Sequence, residues 1–388
     1  MIEERAYWLA WMQIYGVGPI LLQRLFSHFG SLSVAWKAIP NELGQVEGFG
    51  LQTIEKVVKE RSQINPEQFL KQHLQENPLF WTPADVDYPR LLSEIPSPPP
   101  VLYYRGKVDL AENQGKTSLI GIVGTRHPTE YGIRWTRKIS TALAKNGFTV
   151  VSGMAEGIDT FSHVAAMEAG GRTIAVLGTG VDVVYPRKNK ELYQQILHQG
   201  LVISEYRAKT APDRKNFPRR NRIIAGLSRA TLVIEAPVKS GALITANYAN
   251  EFCRDVYVLP GRVDDIASGG CLRLISQGAI PILKELKELL KSLGAIPQLD
   301  NPQLDNPQLD NPQSDDLENF PPVEKVDPLP DLSPELQTVM NVISSESLPF
   351  DMIVQNSGMS ASNVSSNLLQ LELMGLISQL PGMRYQRN

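Results

Sequence analysis

The sequence predicts an α/β protein built on a doubly wound parallel sheet, and three observations predict it. Between Ser118 and about Leu290, short apolar runs alternate with helical segments, a rhythm that implies right-handed crossovers and a sheet covered on both faces. The apolar runs are rich in β-branched residues and nearly continuous, as doubly covered strands should be. Glycines cluster at the carboxyl ends of those strands, where an open parallel sheet gathers its ligands.

The expected strands are Leu119–Val123, Phe148–Ser152, Thr173–Leu177, Leu201–Ser204, Thr231–Glu235 and Val256–Leu259, with Ile280–Leu283 as a weaker seventh. Helices are expected over Thr129–Lys145, Thr160–Glu168, Lys188–His198, Asn216–Leu227, Ala242–Phe252 and Leu272–Gln277. The predicted organisation is a helical domain over 1–80, the α/β domain over 83–290, a linker over 291–332 and a small domain over 333–388.

In the first domain, Ile14-Tyr15-Gly16-Val17-Gly18-Pro19 and Val46-Glu47-Gly48-Phe49-Gly50-Leu51 repeat one pattern. Each precedes an amphipathic segment, Ile20–Phe29 and Gln52–Arg61, and this is the helix-hairpin-helix pattern. Its glycines let the turn run tight and leave backbone N–H groups at a helix start. Nearby cations are sparse (Arg24, Lys56), which weighs against DNA contact there. Pro83 to Pro100 reads as an extended connector, and Val101–Tyr104 as a short strand. In the linker, Gln-Leu-Asp-Asn-Pro occurs three times in succession from Gln298 to Pro312, so a mobile tether is expected. Beyond it, Ser333 and Ser360 can each cap a helix and Pro349–Asn356 forms one between them. A two-stranded wing over Gly375–Tyr385 completes a winged helix-turn-helix. Its third helix carries serines and asparagines but no cation, which favours protein interaction over DNA reading.

With 388 residues, 42% hydrophobic content and a net charge of -3, the chain is too near neutral for a wholly electrostatic DNA binder. No run approaches a membrane span, and the acidic N-terminus does not read as a signal peptide. Cys253 and Cys271 form no CxxC, so a reducing cytoplasm is expected.

Positive charge is instead local. Between Glu205 and Leu227 lie seven cations (Arg207, Lys209, Arg214, Lys215, Arg219, Arg220, Arg222) against two anions, with Phe217 in their midst. Such a run can hold phosphates and stack a base, though a solvated face paired with acids elsewhere has the same composition. The strand ends weigh toward phosphates: Gly124-Thr125-Arg126, Ser152-Gly153, Gly178-Thr179-Gly180, Ser240-Gly241 and Pro260-Gly261 would floor the edge with main-chain amides. Several such turns beside a basic run imply a polyanion.

These motifs resemble those of the DprA/Smf family of bacterial DNA-processing proteins. The residues that carry the resemblance are Gly124-Thr125-Arg126 with Tyr131-Gly132, Ser152-Gly153 with Gly157-Ile158-Asp159, and Gly178 through Tyr185-Pro186. Phe217-Pro218-Arg219-Arg220-Asn221-Arg222 through Ser228 is the most specific match, and Ser240-Gly241 through Thr245, Pro260-Gly261 and Gly278-Ala279 complete it. The resemblance implies an extended Rossmann-like domain, flanked by a SAM-like helical domain and a winged helix, that binds single-stranded DNA and forms a homodimer. It further implies delivery of incoming DNA to the RecA recombinase in natural transformation, with no catalytic activity and no cofactor. Carried residue by residue, it assigns DNA contact to Gly124, Thr125, Arg126, Ser152, Gly153, Lys188, Arg214, Lys215, Phe217, Arg219, Arg220, Arg222, Ser240 and Gly241. The alternative is a nucleoside monophosphate phosphoribohydrolase type of enzyme using Arg126 and Glu235.

Other tempting residues have plainer readings. Asp159 and His163 lack a third metal ligand, so structural hydrogen bonds are expected of them. Ser152 and Ser240 lack the nucleophile elbow. Glu235 is expected to pair with an arginine of the basic run, and Trp8, Trp11 and Trp36 to lie in a core.

Overall fold

The structure is a computed structural model that describes residues 3–283, 286–294, 333–343, 348–374, 376–380 and 384–387. It divides into two compact units, 1–301 and 302–388. The expected linker repeats lie outside the described residues.

The first unit is built on a nine-stranded sheet: β1 (Phe80–Trp81), β2 (Leu102–Gly106), β3 (Leu119–Val123), β4 (Thr149–Ser152), β5 (Thr173–Leu177), β6 (Leu201–Ser204), β7 (Ala230–Val233), β8 (Asp255–Val258) and β9 (Ile280–Pro281). Their spatial order is β1-β2-β6-β5-β4-β3-β7-β8-β9. From β6 to β9 all pairings are parallel, while β1 and β2 add an antiparallel edge. The chain starts the parallel part at the centre, on β3, winds outward to β6, then returns to lay β7 against β3. The β3/β7 boundary is therefore the switch point, and a crevice opens there at the carboxyl ends.

Successive side chains of β3 serve opposite faces, as the two-residue period requires. Leu119 and Val123 join Ile223, Ile224, Leu227 and Ala246 on one side; Ile120 and Ile122 join Ile139, Leu143 and Leu289 on the other. The Asn216–Leu227 and Ala242–Glu251 helices cover the first face, and the Glu130–Lys145 helix covers the second. Each buried aliphatic side chain contributes about 1.5–3 kcal/mol to this packing.

The proline-rich connector is not simply extended. It contains a helical turn, Arg90–Ser93, and sends Tyr88, Leu92 and Ile95 into the core beneath the Asn216–Leu227 helix, with Tyr88 Oη donating to Pro99 O at 3.0 Å. Apolar side chains between the prolines drive this burial.

The N-terminal helices fold as expected around Trp8, Trp11, Leu22, Leu25 and Phe49. Gly16 and Gly48 adopt positive φ (92° and 91°), the conformation both hairpin turns require. A further helix, Pro66–Glu76, capped by Asn65, joins this domain to β1. In the second unit, Ser333 and Ser360 accept hydrogen bonds from Leu336 and Asn363 N–H, capping helices Pro334–Val342 and Ala361–Leu373. Phe350–Ser357 lies between them in the chain, and Leu348–Pro349, Ile377–Leu380 and Arg384–Arg387 form a three-stranded sheet. The tip of the expected wing, 381–383, lies outside the described residues.

Asp159 and His163 are structural. Asp159 Oδ2 accepts from Gly153 and Ala155 N–H at 3.1 and 3.3 Å. His163 Nδ1 meets Thr173 Oγ1 at 2.6 Å; that hydroxyl donates to Val150 O, so Nδ1 carries the proton. Burial, helped by the charge of Arg220, lowers the His163 pKa to about 3. Below pH 6.5 the unfolded chain therefore takes up a proton that the folded chain refuses. Stability from this group is complete above pH 6.5 and falls by about 1.4 kcal/mol per unit as pH drops toward 3. His163→Gln should flatten the fall in urea midpoint between pH 6.5 and pH 4; an unchanged slope would refute this assignment.

Candidate nucleic-acid interface

At the switch point the strand ends enclose an open groove of about 660 Å³. Gly124, Thr125, Arg126 and His127 line it from the β3 end, Arg214, Phe217, Arg220 and Asn221 from the basic stretch, and Lys239, Ser240 and Gly241 from the β7 end. A recess of about 40 Å³ continues it, walled by Gly153, Glu156, Tyr185, Pro186, Phe217 and Arg220. Arg126 and Phe217, expected to act together, line both spaces.

The floor is fixed by buried polar contacts. Arg220 is 5% exposed and donates through Nη1 to the carbonyls of Gly153 (2.8 Å) and Val176, and through Nε to Asn221 Oδ1 (3.2 Å). Its guanidinium lies so close to the Gly153 turn that a Cβ there would meet it at 2.6–2.8 Å, which restricts the position to glycine. Burial lowers the Arg220 pKa to about 10, with the charge of Arg126 acting the same way and Asp159 opposing. At neutral pH Arg220 is thus still a cation beneath the groove.

Phe217 packs over Gly178, where a Cβ would meet its ring at 2.8 Å, and beside Tyr185, centroid to centroid 5.3 Å at 33°. The two rings form a wall of the recess. Arg126, Arg214 and Lys239 are exposed, and among the described residues none of them has a carboxylate partner. Tyr185, His127, Asn221 and Lys239 join the groove without having been assigned DNA contact; for Tyr185 the signal was an aromatic next to the glycine turn that follows β5.

Several expected contact residues stand elsewhere. Ser152 is fully buried and its hydroxyl donates to Ile122 O at 2.6 Å, so it cannot reach a ligand. Arg222 is buried and forms a bidentate pair with Glu205, both contacts 2.8 Å. Arg219 turns with Arg222 to a separate cavity of about 430 Å³, shared with Tyr206 and with Gly18 and Pro19 of the first hairpin. That hairpin thus faces the α/β domain. Lys188 lines neither space and is paired at 2.7 Å with Glu156 of the recess, and Lys215 is exposed just before the Asn216–Leu227 helix without lining the groove. Thr125 does line the groove, and its hydroxyl accepts from His127 N–H at 3.2 Å. Glu235 does not pair with an arginine: its carboxylate accepts from Thr129 N–H and Oγ1 at 2.8 and 2.7 Å, fixing the start of the Glu130–Lys145 helix. Among the described residues no cluster of three His, Cys, Asp or Glu could hold a metal.

Fold and groove together define a doubly wound α/β protein whose switch-point crevice is edged by exposed cations without carboxylate partners among the described residues. Comparison with known proteins makes the assignment particular. Residues 79–294 match the family described as DNA recombination-mediator protein A, and 323–383 match the DprA winged helix domain. The chain is 54% identical over 395 residues to protein Smf of Synechocystis, covering 99% of both chains. It is 36% identical over 302 residues to protein Smf of Escherichia coli, covering 77% of this chain and 75% of that one. The X-ray structure of DNA processing protein A from Streptococcus pneumoniae is similar with a TM-score of 0.64 and 34% identity, over 74% of this chain and 97% of that one. The chain belongs to the DprA/Smf family of DNA-processing proteins.

The contrast between free and paired arginines is measurable. Arg222→Ala strands the Glu205 carboxylate and should cost about 3–5 kcal/mol in urea unfolding. Arg126→Ala removes an exposed, unpaired side chain and should change stability by no more than about 0.5 kcal/mol.

Proposed function

We propose that the groove binds single-stranded DNA without reading its sequence, and that the protein presents this strand to the RecA recombinase during DNA uptake. One observation carries the reading: three unpaired cations, Arg126, Arg214 and Lys239, share a groove with the paired rings of Phe217 and Tyr185. Phosphates engage the cations, and bases stack on the rings, whose faces tolerate any base. The main chain at Gly124, Ser240 and Gly241 lines the groove and lets the DNA backbone approach closely. Membership of a family named for recombination mediation supports RecA as the recipient. A homodimer working in the cytoplasm is part of the same reading. No described helix is long and apolar enough to cross a membrane.

Nucleotide hydrolysis draws no support from the geometry. The Glu235 carboxylate that such chemistry would use is committed to Thr129.

The test is fluorescence anisotropy with oligo-dT and a duplex of equal length across a salt series. Single strands should bind tighter than duplex, with affinity falling steeply as salt rises. Arg126→Ala should reduce the slope of log K against log salt by about 0.7–1 unit. Phe217→Ala should cost roughly 1–3 kcal/mol of binding. Equal affinity for duplex, or an Arg126→Ala slope matching wild type, would overturn the proposal.

A further inference from the structure

We propose that the single strand does not leave the protein at the sheet edge but continues along a cationic stripe on the outer face of the Glu130–Lys145 helix. This rests on the single-strand reading of the groove and extends its path. Arg134, Arg137, Lys138 and Lys145 are all exposed, and their spacing puts them on one helical face. Among the described residues none of the four forms a salt bridge, and the helix carries one acid, Glu130, at its start. Three of the cations lie over aromatic rings: Arg134 over Tyr131 at 5.8 Å, Arg137 over Phe161 at 5.6 Å and Lys138 over Trp135 at 4.8 Å.

The position favours a nucleic acid over an acidic protein. The helix begins at Thr129, its cap, directly after Arg126 and His127 of the groove. A strand held at Arg126 therefore meets the stripe next. From Arg134 to Lys145 the helix rises about 16 Å, which spans roughly five phosphates at stacked spacing. Cations set beside aromatic rings bring phosphate donors and ring surface together, the pairing that sequence-tolerant single-strand sites use. Unpartnered like charges three and four residues apart repel each other, and a polyanion laid along them relieves that repulsion.

Length dependence tests this in the full chain. Labelled oligo-dT of about 6 nucleotides fills the groove alone, whereas about 30 nucleotides reaches the stripe. Arg134→Gln/Arg137→Gln/Lys138→Gln should leave affinity for the short oligonucleotide within about twofold and weaken the long one at least tenfold. Its salt slope for the long strand should become shallower by about two units, three phosphates at ~0.7 each. A parallel set, Arg134→Ala/Arg137→Ala/Lys138→Ala, with circular dichroism melts separates binding from folding. Unchanged long-strand affinity and slope would overturn the proposal and leave the stripe to an acidic protein surface. Equal loss for both lengths would overturn it as well, since the stripe would then not be an extension. Failure of the groove reading itself shows separately, as short-strand affinity that Arg126→Ala does not alter.

Discussion

The arrangement of the site depends on one buried guanidinium. Taking an arginine out of water costs several kcal/mol unless its donors are satisfied, and Arg220 directs Nη1 to carbonyls at the ends of β4 and β5 and Nε to Asn221 Oδ1. Asp159 holds the same Gly153 turn from its amide side. The turn is thus clamped through both its N–H and its C=O, by two opposite charges that also offset each other's burial. Because Arg220 is in the Asn216–Leu227 helix, the clamp docks the basic stretch onto the sheet edge and sets where Phe217 and Arg214 stand.

The helix then sorts its own charges. Phe217, Arg220, Asn221 and Ile224 are three or four residues apart and face the groove; Arg219 and Arg222 share another face and meet the N-terminal domain. A run that counts as one basic patch along the chain is divided in space: Arg220 is a clamp, Arg222 pairs with Glu205, Lys209 pairs with Glu76, and Arg214 is the run's free cation on the groove among the described residues. Charge density alone overstates the phosphate-binding set because it ignores this rotation.

Much of this was legible in the sequence. The six firm strands fall within a residue or two of their expected ends because a doubly buried strand is a short apolar run and little else. The Asn216–Leu227 helix has the expected ends. Side-chain fates were less legible. Nothing local distinguishes Ser152, which turns inward to Ile122 O, from a serine that offers its hydroxyl at the edge. Glu235 looked available as a partner for arginine, but its acceptor set is completed by Thr129, distant in sequence and brought near only by the β3–β7 pairing. β2 was expected as a short strand over Val101–Tyr104, but β1 was not, for a similar reason: two residues between prolines become a strand only when β2, itself laddered on β6, offers them a partner.

The recess is small and the groove beside it is open. The recess beside Phe217 and Tyr185, about 40 Å³, is far below the roughly 300 Å³ at which small-molecule pockets begin, so it cannot enclose a base or a nucleotide. In the proposed complex a base therefore lies against the rings rather than between walls that could test its edges. The larger space is open along its length and edged by exposed cations on long, mobile side chains. A floor held rigid by Arg220 and Asp159, beneath cations free to follow a chain, suits a ligand that repeats the same charge and varies in its bases.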